Sequence, residues 1–428
     1  MQKLSPPVLV LTISMLTVLV LIVAQGVVFS QVRPGQPLSR DQAIRARNSD
    51  LERIKREREL QRQQQQMQQM ADENQRLREK KETVPRPSRA RKSDAGFPTP
   101  QELNDAIAKL SPGQMIDLHG DLFTTVDGVL LAASYYKGGN EKESIPVLLL
   151  HGKNGSRNDF RDLIPQLTKQ GMAVLVPDLR GHGKSTEQIV EEFGRPAFAQ
   201  VDSVDPYPFS RRGNAGLQRR WSMLENASHE TAARPDTKVA DYLVRNFRDI
   251  DYDAMSSYDL RLLQEFLVHE NNEGRLNLNK LIIIGVDMGA GVGAVWAKND
   301  WVPPRGEKAL KMCKSLVMVS PPPADQLKPD FFSPKALRDG VAFMLIVGED
   351  LPEAVKGAEA IKEVIVDKKT DNAPGVQAKC PLILCKTEKQ GAALLGLSTA
   401  KLGEGIPYFI EQRLKDAKEG LVKWEKMK

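Results

Sequence analysis

Histidine is scarce in this chain of 428 residues: there are five, and none follows His269. Chemistry that draws an imidazole base from the last third of the chain is thereby excluded. Cysteine is scarcer still, with three residues, an odd number, so no fully paired disulfide framework is available. Cys380 and Cys385 fall in one expected strand, roughly 16 Å apart at strand rise and too far to bridge. All three thiols are read as small buried hydrophobes. Charge is absent from Leu4 to Val32, Gly and Pro are absent from Asp41 to Glu82, and no internal repeat is present.

The uncharged stretch contains the apolar run Val8 to Ala24, interrupted only by Thr12, Ser14 and Thr17. It is long enough to span a bilayer and longer than the h-region of about 7–15 residues in a secretory signal. Residues 1–31 are therefore expected to be a transmembrane anchor. A cleaved signal is the rival reading, since Lys3 makes a basic start and Val28-Phe29-Ser30 resembles a cleavage site. Arg33, Arg40, Arg45 and Arg47 follow the segment, which by the positive-inside rule puts the rest of an anchored chain in the cytoplasm; cleavage would instead export it.

The net charge of +6 does not point to nucleic acid. Residues 31–95 carry 17 Lys and Arg against 10 Asp and Glu, a surplus of seven that exceeds the charge of the whole chain. The basic character thus belongs to the segment beside the membrane. Residues 32–95 read as a charged, Gln-rich helical spacer and linker. Asp41 to Glu82 would be about 63 Å long if fully helical. Ile44, Leu51, Ile54, Met67, Met70 and Leu77 form a broken apolar seam, interrupted at Arg58 and Gln61. A coiled-coil homo-oligomer and a single polar helix or disordered tether both fit that pattern.

A folded domain is expected over 96–428. Strands are predicted at Gly128–Tyr136, Val147–Leu150, Ala173–Pro177, Leu281–Ile284, Leu316–Ser320, Ala342–Val347 and Pro381–Cys385. Helices are predicted at Arg161–Gly171, Tyr258–Glu270, Ala290–Lys298, Pro352–Val366 and Pro407–Lys415. Early hairpin strands followed by repeated strand-helix units imply an α/β fold, a mostly parallel sheet covered on both faces. Residues 188–249 break this rhythm and read as an insertion.

In such a sheet the residues just after each strand hold the ligand. After Leu150 comes His151-Gly152-Lys153-Asn154-Gly155; after Pro177, Asp178-Leu179-Arg180-Gly181-His182-Gly183-Lys184-Ser185; after Ile284, Gly285-Val286-Asp287-Met288-Gly289. These three turns, in this order, resemble the α/β-hydrolase family over about residues 115–415. There an HG turn supplies an oxyanion amide and a G-x-S-x-G elbow carries the nucleophile. The resemblance implies a catalytic position at Asp287, oxyanion-hole amides at Lys153 and Met288, and a triad acid at Asp350. It also places a histidine in the loop after the last strand, which here is Lys386-Thr387-Glu388-Lys389-Gln390-Gly391 and holds none.

Aspartate does serve as nucleophile in relatives such as haloalkane dehalogenases and epoxide hydrolases, but hydrolysis of their ester intermediate needs a histidine base. Those relatives also carry a helical cap after the sixth strand, where this chain has only Ser320 to Leu337 with Pro321-Pro322-Pro323. His151, Glu349, Glu388, Gln390 and His229 are the remaining pocket candidates. His151 and His182 sit in glycine-flanked turns where a local structural role is expected. His229, in the insertion, would reach Asp287 only if that segment folds over the pocket.

No cofactor is expected. Gly289-Ala290-Gly291-Val292-Gly293-Ala294 mimics a dinucleotide turn but falls inside a helix, where it serves close packing. No metal is expected either, because the carboxylates of Asp287, Glu349, Asp350 and Glu388 alone are a weak signal. Arg211, Arg212, Arg219, Arg220 and Trp221 read as a solvated basic surface. The expected protein is a membrane-tethered binding or scaffold module with a degenerate site; the alternative is an active ester, amide or epoxide hydrolase using Asp287 with a non-standard base.

Overall fold

Eight strands form the main sheet of the computed structural model. It describes residues 88–90, 100–192, 195–196, 237–247, 249–303, 308–323, 325–366, 380–397, 401–416 and 422–427. The strands are β1 (Ser88–Ala90), β2 (Met115–Leu118), β3 (Val129–Leu130), β4 (Ala132–Tyr136), β5 (Pro146–Leu150), β6 (Ala173–Asp178), β7 (Glu187–Glu192), β8 (Arg195–Pro196), β9 (Thr237–Asp241), β10 (Leu281–Val286), β11 (Cys313–Val319), β12 (Ala342–Gly348) and β13 (Leu382–Cys385). The main sheet runs β13-β12-β11-β10-β5-β6-β4-β2. From β6 to β13 every pairing is parallel, and β4 joins β6 and β2 antiparallel.

The sheet is covered on both faces because its strands are apolar on both. Along β10, Leu281 and Ile283 enter one core while Ile282, Ile284 and Val286 enter the other, as a side-chain period of two requires. Phe266 of the helix Leu260–Asn272 and Trp296 of the helix Met288–Trp301 fill the first core. Leu167 of Ile164–Lys169 and Ile406 of Leu402–Asp416 fill the second.

The strand predicted over Gly128–Tyr136 is two strands. It divides at Leu131, whose amide donates to the Phe123 carbonyl at 2.8 Å. β3 turns away into a second sheet, ordered β1-β9-β7-β3 with β8 on β7, and β4 stays in the main one. The insertion expected over 188–249 thus contributes strands at both of its ends. β1 lies in the span read as linker and pairs antiparallel with β9, Ser88 opposite Ala240. The predicted helix Arg161–Gly171 is a shorter helix, Ile164–Lys169, preceded by a 3-10 turn at Arg157–Phe160. A reciprocal cap between Ser156 and Asp159 fixes that turn.

The last helix begins at Leu402, five residues ahead of the predicted Pro407, and Pro407 sits inside it. Leu402 and Ile406, four apart, are both buried, and that packing holds a turn the proline by itself disfavours. All three cysteines are buried and unpaired. Among the described residues no helix is long and apolar enough to cross a membrane. The apolar segment 4–32 and the spacer 41–82 lie outside the described residues.

Candidate functional site

The elbow is built by a strand and a helix meeting at one residue. Asp287 joins β10 to the helix Met288–Trp301 with φ 47° and ψ −118°, a conformation that a side chain rarely adopts. Its amide donates to the Val319 carbonyl at 2.9 Å, and its carbonyl accepts from Ala290 at 2.9 Å and Gly291 at 3.3 Å. Gly289 permits the fit. A Cβ there would stand 2.3 Å from the Leu150 carbonyl oxygen and 2.5 Å from that of His151. At Gly285 a Cβ would stand 2.5 Å from the Ala290 Cα.

The close approach brings the turn after β5 over the elbow. Lys153, exposed at the tip, donates its backbone N–H to Asp287 Oδ2 at 3.2 Å. This is the only hydrogen bond of the Asp287 side chain among the described residues. The amide that the resemblance assigns to the oxyanion hole is therefore engaged by the elbow's own carboxylate. Met288 opens the helix, where an amide has no acceptor four residues back.

His151 is fully buried beneath this turn. Its Nδ1 lies 2.8 Å from the Gly152 carbonyl oxygen and its Nε2 accepts from the Leu179 amide at 2.9 Å, which assigns the proton to Nδ1. Burial lowers its pKa below the ordinary histidine value, so the ring is a neutral strut with both nitrogens committed. His182 packs edge-on to it with centroids 4.9 Å apart and donates through Nδ1 to the Arg180 carbonyl at 2.8 Å. Its pKa is also lowered by burial. Neither ring bonds to Asp287. His269 lies in the helix Leu260–Asn272, ahead of β10, and His119 follows β2 at the sheet margin. His229 lies outside the described residues.

The other candidates line the same sheet edge without joining Asp287. Glu349 and Asp350 are exposed in the turn after β12, with the Glu349 amide donating to the Cys385 carbonyl at 2.7 Å. Glu388 and Gln390 are exposed in the loop after β13. That loop is held by its backbone: the Gly391 amide donates to Ser320 Oγ at 2.8 Å, and Gly348 packs against the Thr387 carbonyl. Ser320, with φ 48°, is a second strained residue at this edge that the sequence reading passed over. No cluster of His, Cys, Asp and Glu that could hold a metal occurs among the described residues.

The sequence reading also missed the polar network beneath the turn after β6. Arg180 is completely buried. Its Nη1 reaches Asp127 Oδ2 at 2.7 Å, its Nη2 reaches Asp259 Oδ1 at 2.6 Å, and Nη1 meets the Tyr242 hydroxyl at 3.3 Å. Burial by itself would lower its pKa, but the Asp259 and Asp127 carboxylates hold it well above the ordinary arginine value. The network joins the turn to β9's end and to the segment before the helix Leu260–Asn272. Arg180 lies in the Asp178–Ser185 turn, but its acids lie 53 and 79 residues away, beyond the reach of any local pattern.

Strand order, elbow and turns together make an α/β-hydrolase fold. The family model described as alpha/beta hydrolase fold matches residues 145–346, and the chain carries that fold. A dienelactone hydrolase from Anabaena variabilis is similar over 70% of this chain and 98% of its own, at 15% identity and TM-score 0.40. An esterase from Pyrococcus furiosus is similar over 76% of this chain and 99% of its own, at 17% identity and TM-score 0.39. An esterase from Exiguobacterium antarcticum covers 67% of this chain and 99% of its own, at 14% identity and TM-score 0.35. No curated protein matches the chain significantly.

Proposed function

We propose that this chain is a membrane-tethered α/β-hydrolase-fold protein that binds rather than turns over its ligand, the tether being residues 1–31 and the spacer 32–95. The observation that carries the reading is the contact between Asp287 Oδ2 and the Lys153 amide. An oxyanion is stabilised by donors that are empty and pre-aimed before the reaction. Here a carboxylate stands on one of them, and a developing negative charge would have to displace it. The absence of a histidine after His269 supports the same reading, since no residue of the last loop supplies a base. Membrane attachment rests on the length of the apolar run alone.

The test uses the full chain in lipid vesicles, offered p-nitrophenyl esters, an anilide and a styrene oxide, beside Asp287→Ala. The expected result is release no faster than that of the variant. Turnover that disappears in Asp287→Ala would overturn the reading. Flotation after alkaline carbonate treatment checks the tether, with the full chain staying in the lipid and a chain lacking residues 1–31 leaving it.

One observation favours a second reading, in which Asp287 attacks substrate carbon and forms an ester. Its backbone keeps the strained elbow geometry, which costs about 1–3 kcal/mol and is characteristic of functional positions. That reading predicts a stoichiometric adduct on Asp287 by mass spectrometry after incubation with the epoxide.

A further inference from the structure

On the sheet edge opposite the elbow, four asparagines close around residues 422–427. Asn271 and Asn272 end the helix Leu260–Asn272, and Asn277 and Asn279 lie in the connection to β10. Asn277 Nδ2 donates to the Val422 carbonyl at 2.8 Å and Asn279 Nδ2 to that of Lys423 at 2.9 Å. Asn271 Nδ2 donates to the Glu425 carbonyl at 2.8 Å and Asn272 Nδ2 to that of Met427 at 3.1 Å.

The amide orientations are fixed by their other ends. Asn271 Oδ1 accepts from the Leu278 amide at 2.9 Å, and Asn277 Oδ1 from the Asn279 amide at 3.1 Å. Asn272 Oδ1 accepts from the Met427 amide at 2.7 Å, so that side chain reads both main-chain groups of one residue. Asn271 and Asn277 are completely buried, so their donors have no solvent to turn to.

These contacts go to main-chain atoms, and residues 424–427 lie outside helix and strand. Sequence enters at two points. Trp424 donates through Nε1 to the Asn271 carbonyl at 3.3 Å and carries Lys142 Nζ 4.3 Å from its ring centroid, and Met427 packs against the first core. We infer that the asparagine cradle is a peptide-recognition site for a segment bearing Trp and Met three positions apart and non-helical from the Trp onward, occupied in cis by residues 422–427. A tethered occupant competes at high effective concentration, so the site accepts a second peptide only when the cis segment is weakened.

The test is fluorescence anisotropy in detergent with a labelled peptide carrying the sequence of residues 420–428. The full chain bearing Trp424→Ala and Met427→Ala is expected to bind it saturably. The unaltered chain should bind at least tenfold more weakly, as should the double variant with Asn279→Asp added, which replaces a donor by an acceptor. No saturable binding by the double variant, with its near-ultraviolet circular dichroism intact, would overturn the inference; so would binding indifferent to Asn279→Asp. Should the double variant fail to fold, Asn279→Asp alone in the full chain decides by hydrogen exchange. The Met427 amide should exchange at least tenfold faster while the amides of β10 keep their protection, and an unchanged Met427 rate would refute the site.

Discussion

Replacing Gly289 by alanine tests the elbow at its tightest point. The added Cβ would lie 2.3 Å from the Leu150 carbonyl oxygen and 2.5 Å from that of His151. Ordinary heavy-atom contact is about 3.5 Å, so roughly 1 Å must be opened between the helix Met288–Trp301 and the end of β5. Neither side yields cheaply. The obstructing atoms are backbone, and β5 is hydrogen-bonded between β10 and β6. Overpacking of flexible side chains costs about 1–3 kcal/mol, so a backbone clash on both flanks should cost about 3 kcal/mol or more. With a urea dependence of ~3 kcal/mol per M, the midpoint should fall by about 1 M. Gly357→Ala is the matched control, because nothing lies within 4 Å of its Cβ position in the helix Pro352–Ile365. It should gain about 0.5–1 kcal/mol from the helical preference of alanine. If Gly289→Ala shifted the midpoint no more than about 0.3 M, the close approach that places Lys153 on Asp287 would be refuted.

Asp300 gives a pH-dependent outcome. Burial raises its pKa from 3.8 to about 6, against the backbone N–H of Cys313, which donates to Oδ2 at 2.8 Å. A carboxyl raised on folding favours the fold when protonated. Its contribution is therefore fully present below the unfolded value of about 4 and is lost as pH rises through about 6, a change of about 3 kcal/mol. Asp300→Asn should remove that slope and be the more stable protein above pH 6, the two curves converging near pH 4 in urea titrations; parallel curves would contradict the burial assignment. For Arg180→Met the expectation is a loss of about 3–5 kcal/mol, because Asp127 and Asp259 are left as uncompensated buried charges. Thermal unfolding within 2–3 °C of the parent, a small fraction of that loss, would show the ion pairs to be dispensable.

Much of the fold was legible because strands buried on both faces announce themselves. The Val147–Leu150, Leu281–Ile284 and Ala342–Val347 predictions each fall inside an observed strand, since an unbroken apolar run of this length has nowhere to go except between two cores. Helix limits were less legible. The tail of the sequence put Pro407 at a helix start by its local chemistry, whereas burial of Leu402 and Ile406 carried the helix back to Leu402. Leu131 gave no local sign that its strand divides there.

The site follows the same division. Glycines at 285 and 289, around a residue that follows a strand, are enough to mark an elbow, because only that residue type allows the backbones so close. The sequence by itself therefore determined the elbow's position, the mostly parallel sheet, and the lack of a histidine in the last loop. Tertiary structure decided what Asp287 touches, which acids neutralise Arg180, and where residues 422–427 rest. Those pairings join positions 134, 79 and about 150 residues apart. Contacts over such separations are set by how the strands stack and where the chain returns, and periodicity reports only on neighbours within a turn or a strand.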